Sequence, residues 1–119
     1  MVPLLKTMII DDEWLIRSEL KNMLQGYPQI EIVGEAVNLT DAVRLYNKLK
    51  PELIFLDIHL PGGSGFDFLD RVQGGFHLIF LTAFDQYLEN AMRYKPVDYL
   101  LKPINREKLA RALDKIRNR

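Results

Sequence analysis

The 119-residue chain is 48% hydrophobic, which suits one globular domain with a single buried core. Its 16 basic and 16 acidic residues leave no net charge that would draw it to nucleic acid or to an anionic membrane surface. It has no cysteine, which excludes disulfides, thiolate catalysis and zinc sites built on sulfur, and no apolar run is long enough to cross a bilayer. We therefore expect a cytoplasmic protein without membrane contact.

Five short apolar runs alternate along the chain with stretches of helical spacing, which predicts an α/β fold with a parallel sheet. The runs at 8–10, 53–56 and 78–81 are apolar throughout, as expected for central strands covered by helices on both faces. The runs at 31–36 and 97–101 are more mixed and suit the two edges of the sheet. The predicted spatial order is 2-1-3-4-5, which is that of a flavodoxin-like (βα)5 doubly wound sheet.

Four residues stand where helices are expected to begin and carry side-chain oxygens that can accept the free amides of a first turn. They are Asn38, Ser64, Asp85 and Asn105. We therefore predict that each of them is an N-cap.

Acidic residues follow two neighbouring strands of the predicted sheet. Asp11, Asp12 and Glu13 come directly after the first strand, and Asp57 ends the third. The carboxyl ends of these strands border the crevice in which open α/β sheets bind ligands. Several carboxylates in one crevice need a neutralising cation, and oxygen ligands suit magnesium. Any one of these acids alone could equally cap a helix or end a strand, so the predicted Mg²⁺ site depends on their convergence.

A hydroxyl and an ammonium group are expected at the same edge of the sheet. Thr82 ends the fourth strand, and Lys102 follows the fifth strand directly before Pro103. Such groups can bind phosphoryl oxygens while a metal balances the remaining charge. Each residue alone is common at its position, but together with the carboxylates they indicate acyl-phosphate chemistry.

The sequence resembles the response-regulator receiver family of two-component systems along nearly its whole length. The resemblance is carried by MIIDDE at 8–13, LDIHLP at 56–61, TA at 82–83 and DYLLKP at 98–103. It implies a signalling switch whose phosphoryl donor is a sensor histidine kinase, with no turnover of an external substrate. It also implies that phosphorylation changes the surface of the fourth helix, fifth strand and fifth helix, with a homodimer as one possible result.

The resemblance also implies specific roles for the residues of the crevice. Asp57 would accept the phosphoryl group, and Asp11, Asp12, Asp57 and the backbone carbonyl of His59 would hold Mg²⁺. Two further residues would contact the phosphoryl oxygens, namely Thr82 and Lys102.

The resemblance assigns two more roles near the fifth strand. Tyr99 would be the switch aromatic whose rotamer follows Thr82, and the peptide bond between Lys102 and Pro103 would be cis.

The segments 62–67 and 82–87 resemble the receiver subgroup that is usually followed by a LytTR-type DNA-binding domain. Three residues depart from those of the commonest receivers. Ser64 stands where an aspartate often precedes the glycine. The other two are His59, two residues after Asp57, and Phe84, two residues after Thr82. The side chains of His59 and Phe84 are therefore predicted to tune the lifetime of the phosphoryl group.

We expect residues 1–119 to form a single receiver domain excised from a longer regulator of transcription. No basic patch or recognition motif appears, so the domain itself is not expected to bind nucleic acid.

Three alternatives belong to other classes. A phosphatase of the dehalogenase type would need a second aspartate where His59 stands, and a flavin carrier would need a loop rich in Ser, Thr and Gly where the acids at 11–13 stand. A degenerate receiver that only binds proteins is distinguished by a phosphorylation assay.

Overall fold

The computed structural model describes residues 4–117 of the chain. The outermost residues of the predicted domain, 1–3 and 118–119, lie outside the described residues. The elements in chain order are β1 (Leu5–Ile10), α1 (Trp14–Leu24), β2 (Ile30–Ala36), α2 (Leu39–Leu49), β3 (Leu53–Asp57), β4 (His59–Leu60), β5 (Gly63–Ser64), α3 (Gly65–Arg71), β6 (His77–Thr82), α4 (Leu88–Met92), β7 (Asp98–Leu101) and α5 (Arg106–Arg117).

Five of these strands form one parallel sheet in the order β2-β1-β3-β6-β7. The two-residue strands β4 and β5 form a separate antiparallel hairpin directly after β3. With the hairpin set aside, the sheet has the predicted order 2-1-3-4-5, and the α/β flavodoxin-like prediction is confirmed.

The two faces of the sheet are covered by different helices, because side chains alternate across a strand. In β1, Met8 and Ile10 pack with α2, α3 and α4, whereas Ile9 packs with α1 and α5. All three side chains are fully buried. The continuous apolar runs of β1, β3 and β6 thus reflect burial on both faces, and the more exposed β2 and β7 lie at the edges.

Three of the four predicted N-caps are confirmed. The side chain of Asn38 accepts the N–H of Asp41, and the side chain of Asn105 accepts the N–H of Lys108. Ser64 forms a reciprocal capping box with Asp67, in which each side chain accepts the backbone N–H of the other residue.

The prediction for Asp85 is wrong. Asp85 is the first residue of a 3₁₀ turn that ends at Tyr87, and α4 begins only at Leu88. The tighter 3₁₀ turn takes the place of the expected first α-helical turn, so the cap position of α4 falls on Tyr87, which has no side-chain cap bond.

The Lys102–Pro103 peptide bond is cis. Across residues 4–117, none of the helices has the length and apolar character needed to cross a membrane.

Candidate functional site

Four strands of the sheet bring polar side chains to a single cleft at their carboxyl ends. Asp11 follows β1, Asp57 ends β3, Thr82 ends β6 and Lys102 follows β7. The cleft beside them has a volume of about 350 Å³, and Asp57, Lys102 and His59 are among its lining residues. The sheet therefore assembles the residues that the sequence singled out, from positions up to 91 residues apart (Lys102 minus Asp11).

Four carboxylates form an acidic cluster in this cleft. One oxygen from each of Asp11, Asp12, Glu13 and Asp57 lies within 4.8 Å of the others. Asp11 is fully buried and Asp57 nearly so, whereas Asp12 and Glu13 are exposed. The N–H of Glu13 donates to Asp11 Oδ1 over 2.9 Å, so the turn after β1 folds around the Asp11 carboxylate.

Lys102 is the cation that balances part of this charge. Its Nζ lies 2.9 Å from Asp11 Oδ2, 2.9 Å from Glu13 Oε1 and 3.3 Å from Asp57 Oδ2, and its side chain is only 8% exposed. Burial opposes the charged form, but the contacts with Asp11 and Glu13 and the charge of Asp57 outweigh it and raise the pKa of Lys102. Lys102 therefore stays protonated and lies directly beside Asp57.

The surroundings of Asp57 oppose its ionisation. Burial first, and the Asp11 charge second, raise the pKa of Asp57 to about 6, while Lys102 and the backbone N–H of His59 act in the opposite direction. That N–H donates to Asp57 Oδ1 over 3.2 Å. At neutral pH Asp57 is mostly a carboxylate, one oxygen of which contacts Lys102.

The cluster fits a divalent cation with oxygen ligands. Within residues 4–117, no hydrogen-bond donor is aligned with the buried Asp11 Oδ2, although Lys102 Nζ forms an ion pair with it. Four carboxylates face one lysine ammonium, so negative charge remains in the cleft. Hard carboxylate oxygens, two of them on exposed residues that leave room for water, are the ligand set that Mg²⁺ prefers.

Thr82 and Tyr99 both contact the backbone of Phe84, in the loop after β6. The Thr82 hydroxyl is fully buried and accepts the N–H of Phe84 over 3.2 Å. The Tyr99 hydroxyl donates to the carbonyl of Phe84 over 2.6 Å, and the Lys102 N–H donates to the Thr82 carbonyl over 2.7 Å. The predicted switch residues are thus linked through one loop residue.

Three rings lie together beside the cleft. The ring centroid of His59 lies 5.2 Å from that of Phe84 and 5.1 Å from that of Tyr87, in both cases edge to face. Phe84 and Tyr87 also contact each other, at 6.4 Å. We call these three residues the aromatic cluster.

Tyr87 is a member of the aromatic cluster that the sequence reasoning did not single out. A signal was available, because a helical turn of either kind places residues three apart, such as Phe84 and Tyr87, on the same side.

Gly65 is a second residue that the sequence reasoning overlooked. A Cβ at this position would lie 2.5 Å from the carbonyl oxygen of Asp57 and 3.1 Å from Leu56 Cγ. The N–H of Gly65 donates to the Ile58 carbonyl over 2.7 Å. The β4–β5 hairpin therefore brings the start of α3 directly against the backbone of Asp57, where only glycine fits.

Comparison with known proteins gives consistent results. A family model described as the response regulator receiver domain matches residues 7–114. The transcriptional regulatory protein BtsR of Salmonella typhi is 40% identical over 116 residues, which are 96% of this chain and 48% of BtsR. The sensory transduction protein LytT of Bacillus anthracis is 38% identical over 115 residues, which are 94% of this chain and 47% of LytT. The chain spans about half the length of these curated relatives.

A solved structure agrees over the whole fold. The response regulatory domain of mrkE from Klebsiella pneumoniae matches with a TM-score of 0.86 at 28% identity, and 95% of each chain is covered.

Proposed function

The chain belongs to the response regulator receiver domain family, and from that premise we propose that Asp57 accepts a phosphoryl group from a sensor histidine kinase. The observation that carries the proposal is the position of the Asp57 carboxylate, which is nearly buried at the end of β3, 3.3 Å from Lys102 Nζ and within the acidic cluster. A carboxylate in such a place is a nucleophile with a cation already beside it.

The proposed transfer is an in-line displacement. An Asp57 carboxylate oxygen forms a bond to phosphorus while the bond from phosphorus to the donor imidazole nitrogen breaks, and the imidazole leaves with the electron pair. The pKa of about 6 leaves Asp57 ionised at neutral pH and more basic than an ordinary aspartate. No external substrate is turned over, so the domain acts as a signalling switch.

The acidic cluster is proposed to hold Mg²⁺ through Asp11, Asp12 and Asp57, with the backbone carbonyl of His59 as a further ligand. When bound, Mg²⁺ would neutralise the carboxylates and the phosphoryl oxygens. Lys102 and Thr82 are proposed to contact the phosphoryl oxygens from the side of β6 and β7. Lys102 already contacts Asp57, and Thr82 ends the strand next to β3.

We propose that the loop after β6 carries the switch. A phosphoryl group on Asp57 would attract the Thr82 hydroxyl. Because this hydroxyl accepts the N–H of Phe84, the backbone of Phe84 would move with it. Tyr99 holds the carbonyl of the same residue, so its ring follows the loop. The surface of α4, β7 and α5 would change as a result, and a homodimer formed through this surface is one outcome.

A groove of about 370 Å³ is available on this surface for contact with a partner. Its lining comes from β7 and α5 and includes Tyr99, Leu101 and Arg111. Leu88 and Met92 of α4 are also exposed apolar residues.

The proposed output is control of transcription, exerted through a part of the protein other than this domain. BtsR is named a transcriptional regulatory protein, and the similarity to LytT supports the narrower resemblance to receivers that precede a LytTR-type domain. Residues 1–119 are then one receiver domain of a regulator that acts in the cytoplasm, and the receiver itself does not contact DNA.

Mass measurement of the intact protein tests the proposal. With Mg²⁺ and a small phosphodonor, the wild-type chain should gain one phosphoryl group, and excess chelator should suppress the gain. Asp57→Asn should gain none. Asp70→Asn is the matched control, because Asp70 lies in α3, away from the cleft, where its exposed carboxylate accepts from the Tyr94 hydroxyl. This variant should label like wild type. Stoichiometric labelling of Asp57→Asn would refute the assignment.

A further inference from the structure

A partly buried ionic network of Arg17, Glu35 and Lys21 lies behind the acidic cluster. None of these residues has a role in the proposed phosphoryl transfer. Arg17, in the first turns of α1, donates from Nη1 to the backbone carbonyl of Asp11 over 2.9 Å. The same side chain donates from Nε to Glu35 Oε1 of β2, also over 2.9 Å. Arg17 is only 14% exposed, so a single side chain joins β1, α1 and β2 at the edge of the cleft.

The carbonyl that Arg17 binds belongs to the peptide unit between two of the proposed magnesium ligands. Rotation of this unit changes ψ of Asp11 and φ of Asp12 together, and both side chains then change direction. The N–H of Asp11 is held separately by the carbonyl of Ala36 in β2, over 3.1 Å. Arg17 therefore holds the carbonyl of Asp11, and with it the peptide unit that leads to Asp12.

Glu35 keeps the Arg17 guanidinium in position. Burial opposes ionisation of Glu35, but its contacts with Lys21 and Arg17 outweigh burial and lower its pKa. Lys21 Nζ donates to Glu35 Oε2 over 2.9 Å, so each oxygen of the carboxylate has its own cation. A planar guanidinium that binds a carboxylate and a carbonyl at once has little freedom to rotate, whereas a lysine ammonium cannot span both acceptors in this way.

We propose that Arg17 is a positioning residue, which orients the peptide unit between Asp11 and Asp12 and thereby sets the affinity of the acidic cluster for Mg²⁺. This inference rests on the proposed function of the cluster and adds a residue to it that does not touch the metal. Partners of this kind behind metal ligands typically contribute about tenfold or more to metal affinity.

The charge of Arg17 and its geometry predict opposite results when the side chain is removed. As a cation close to four carboxylates, Arg17 repels a divalent ion, so loss of its charge alone would strengthen Mg²⁺ binding. As a positioning residue, it favours the ligand geometry, so its loss would weaken binding. The sign of the change therefore separates the two roles.

The experiment is calorimetric titration of the chain with MgCl₂ alone, without a phosphodonor. Arg17→Met removes the charge and both bonds, and we expect its affinity to fall about tenfold. Arg17→Lys keeps the charge but cannot span both acceptors, and we expect a several-fold loss. Lys21→Met is the matched control, because it removes a cation from the same Glu35 carboxylate without touching Asp11, and its affinity should equal or slightly exceed that of wild type.

The outcomes are distinguishable. Unchanged or tighter Mg²⁺ binding by Arg17→Met, with Arg17→Lys equal to wild type, overturns the inference and leaves the proposed function intact. Absence of Mg²⁺ binding by the wild-type chain overturns the metal site and the inference together. Thermal unfolding without metal identifies any variant that has failed to fold, and Arg17→Lys then decides the question.

Discussion

Asp57 places a negative charge where the fold disfavours it. The carboxylate is nearly buried and close to that of Asp11, and these two causes raise its pKa to about 6 in the folded chain. In the unfolded chain an aspartate titrates near 3.9. Ionised Asp57 therefore destabilises the fold, although Lys102 and the His59 N–H reduce the penalty. The same property makes the Asp57 carboxylate more basic than that of an exposed aspartate, which suits its proposed role as the nucleophile.

A pH-dependent stability difference follows from this pKa. Below the unfolded-state pKa of about 3.9, Asp57 is protonated in both the folded and the unfolded chain, and its ionisation costs the fold no stability. The cost grows as the pH rises from this pKa to the folded-state pKa, and it is complete above about 6. In metal-free buffer, Asp57→Asn should therefore be more stable than wild type at pH 7.5, by about 1–3 kcal/mol, and the difference should be small at about pH 4 and vanish below about pH 3. Denaturant unfolding at several pH values measures it. A difference that is constant with pH would contradict the stated cause.

Gly65 shows how closely the backbone around Asp57 is packed. Gly65→Ala would place a methyl group 2.5 Å from the Asp57 carbonyl oxygen, so the backbone must shift. We expect a loss of about 1–3 kcal/mol in stability and slower phosphorylation of Asp57. Gly75→Ala is the matched control, because its added Cβ would meet no described atom within 4 Å. Equal stability and equal labelling rates for the two variants would show that the loop accommodates a side chain.

At the scale of elements, the loop from β6 to α4 supplies part of the lining of the cleft that contains Asp57. Its 3₁₀ turn packs the rings of Phe84 and Tyr87 against His59 of β4, and Phe84 and His59 line the cleft. Phe84 is 48% exposed, yet its ring has no group that could hydrogen-bond a water. The Phe84 ring therefore lines the cleft of the proposed phosphorylation site without offering a hydrogen bond to a hydrolytic water, whereas the His59 imidazole can form one.

This arrangement predicts that the aromatic cluster prolongs the phosphorylated state. An acyl phosphate is hydrolysed by a water placed in line with phosphorus, and misplacement by about 1 Å can cost a hundredfold in rate. Phe84→Asn or Phe84→Glu should therefore speed loss of phosphate, by up to about a hundredfold, with little change in the rate of phosphorylation. His59→Asn should have a smaller effect. Tyr87→Ala should give a partial one, because Tyr87 supports both neighbouring rings.

Decay of the phosphorylated protein after removal of the donor measures this effect. Leu88→Asn is a suitable control, because Leu88 is similarly exposed and begins α4 directly after the cluster. Wild-type or slower decay of the Phe84 variants would mean that the lifetime is set elsewhere in the site.

At the scale of the whole molecule, the sheet was predictable because the apolar pattern of each strand indicates whether helices cover one or both of its faces. Continuous apolar runs identify β1, β3 and β6 as central, and that order alone brings Asp11, Asp57 and Thr82 to one edge. The 3₁₀ turn at Asp85 was not predictable in this way. Its sequence carries a good cap residue, and the packing of Tyr87 on a distant histidine is a tertiary contact.

The finer contacts of the site were beyond the sequence for a related reason. The ion pair between Lys102 and Glu13 joins residues 89 positions apart. The bond from Arg17 goes to the backbone carbonyl of Asp11, and because every residue has such a carbonyl, the sequence does not indicate which one is bound. Strand patterns predict which residues share an edge of the sheet. Distances of about 3 Å between particular atoms depend on the packing of every neighbouring element.

The identity of the phosphorylated residue is the central claim, and chemical trapping of the acyl phosphate tests it most directly. Borohydride reduces an aspartyl phosphate to homoserine, so peptide mapping by mass spectrometry locates the residue that carried the phosphoryl group. After incubation of the chain with Mg²⁺ and a small phosphodonor, we predict homoserine at position 57 and no conversion at Asp11, Asp12 or Asp85. Homoserine at any of those three positions, or a labelled chain without homoserine at 57, would contradict the account.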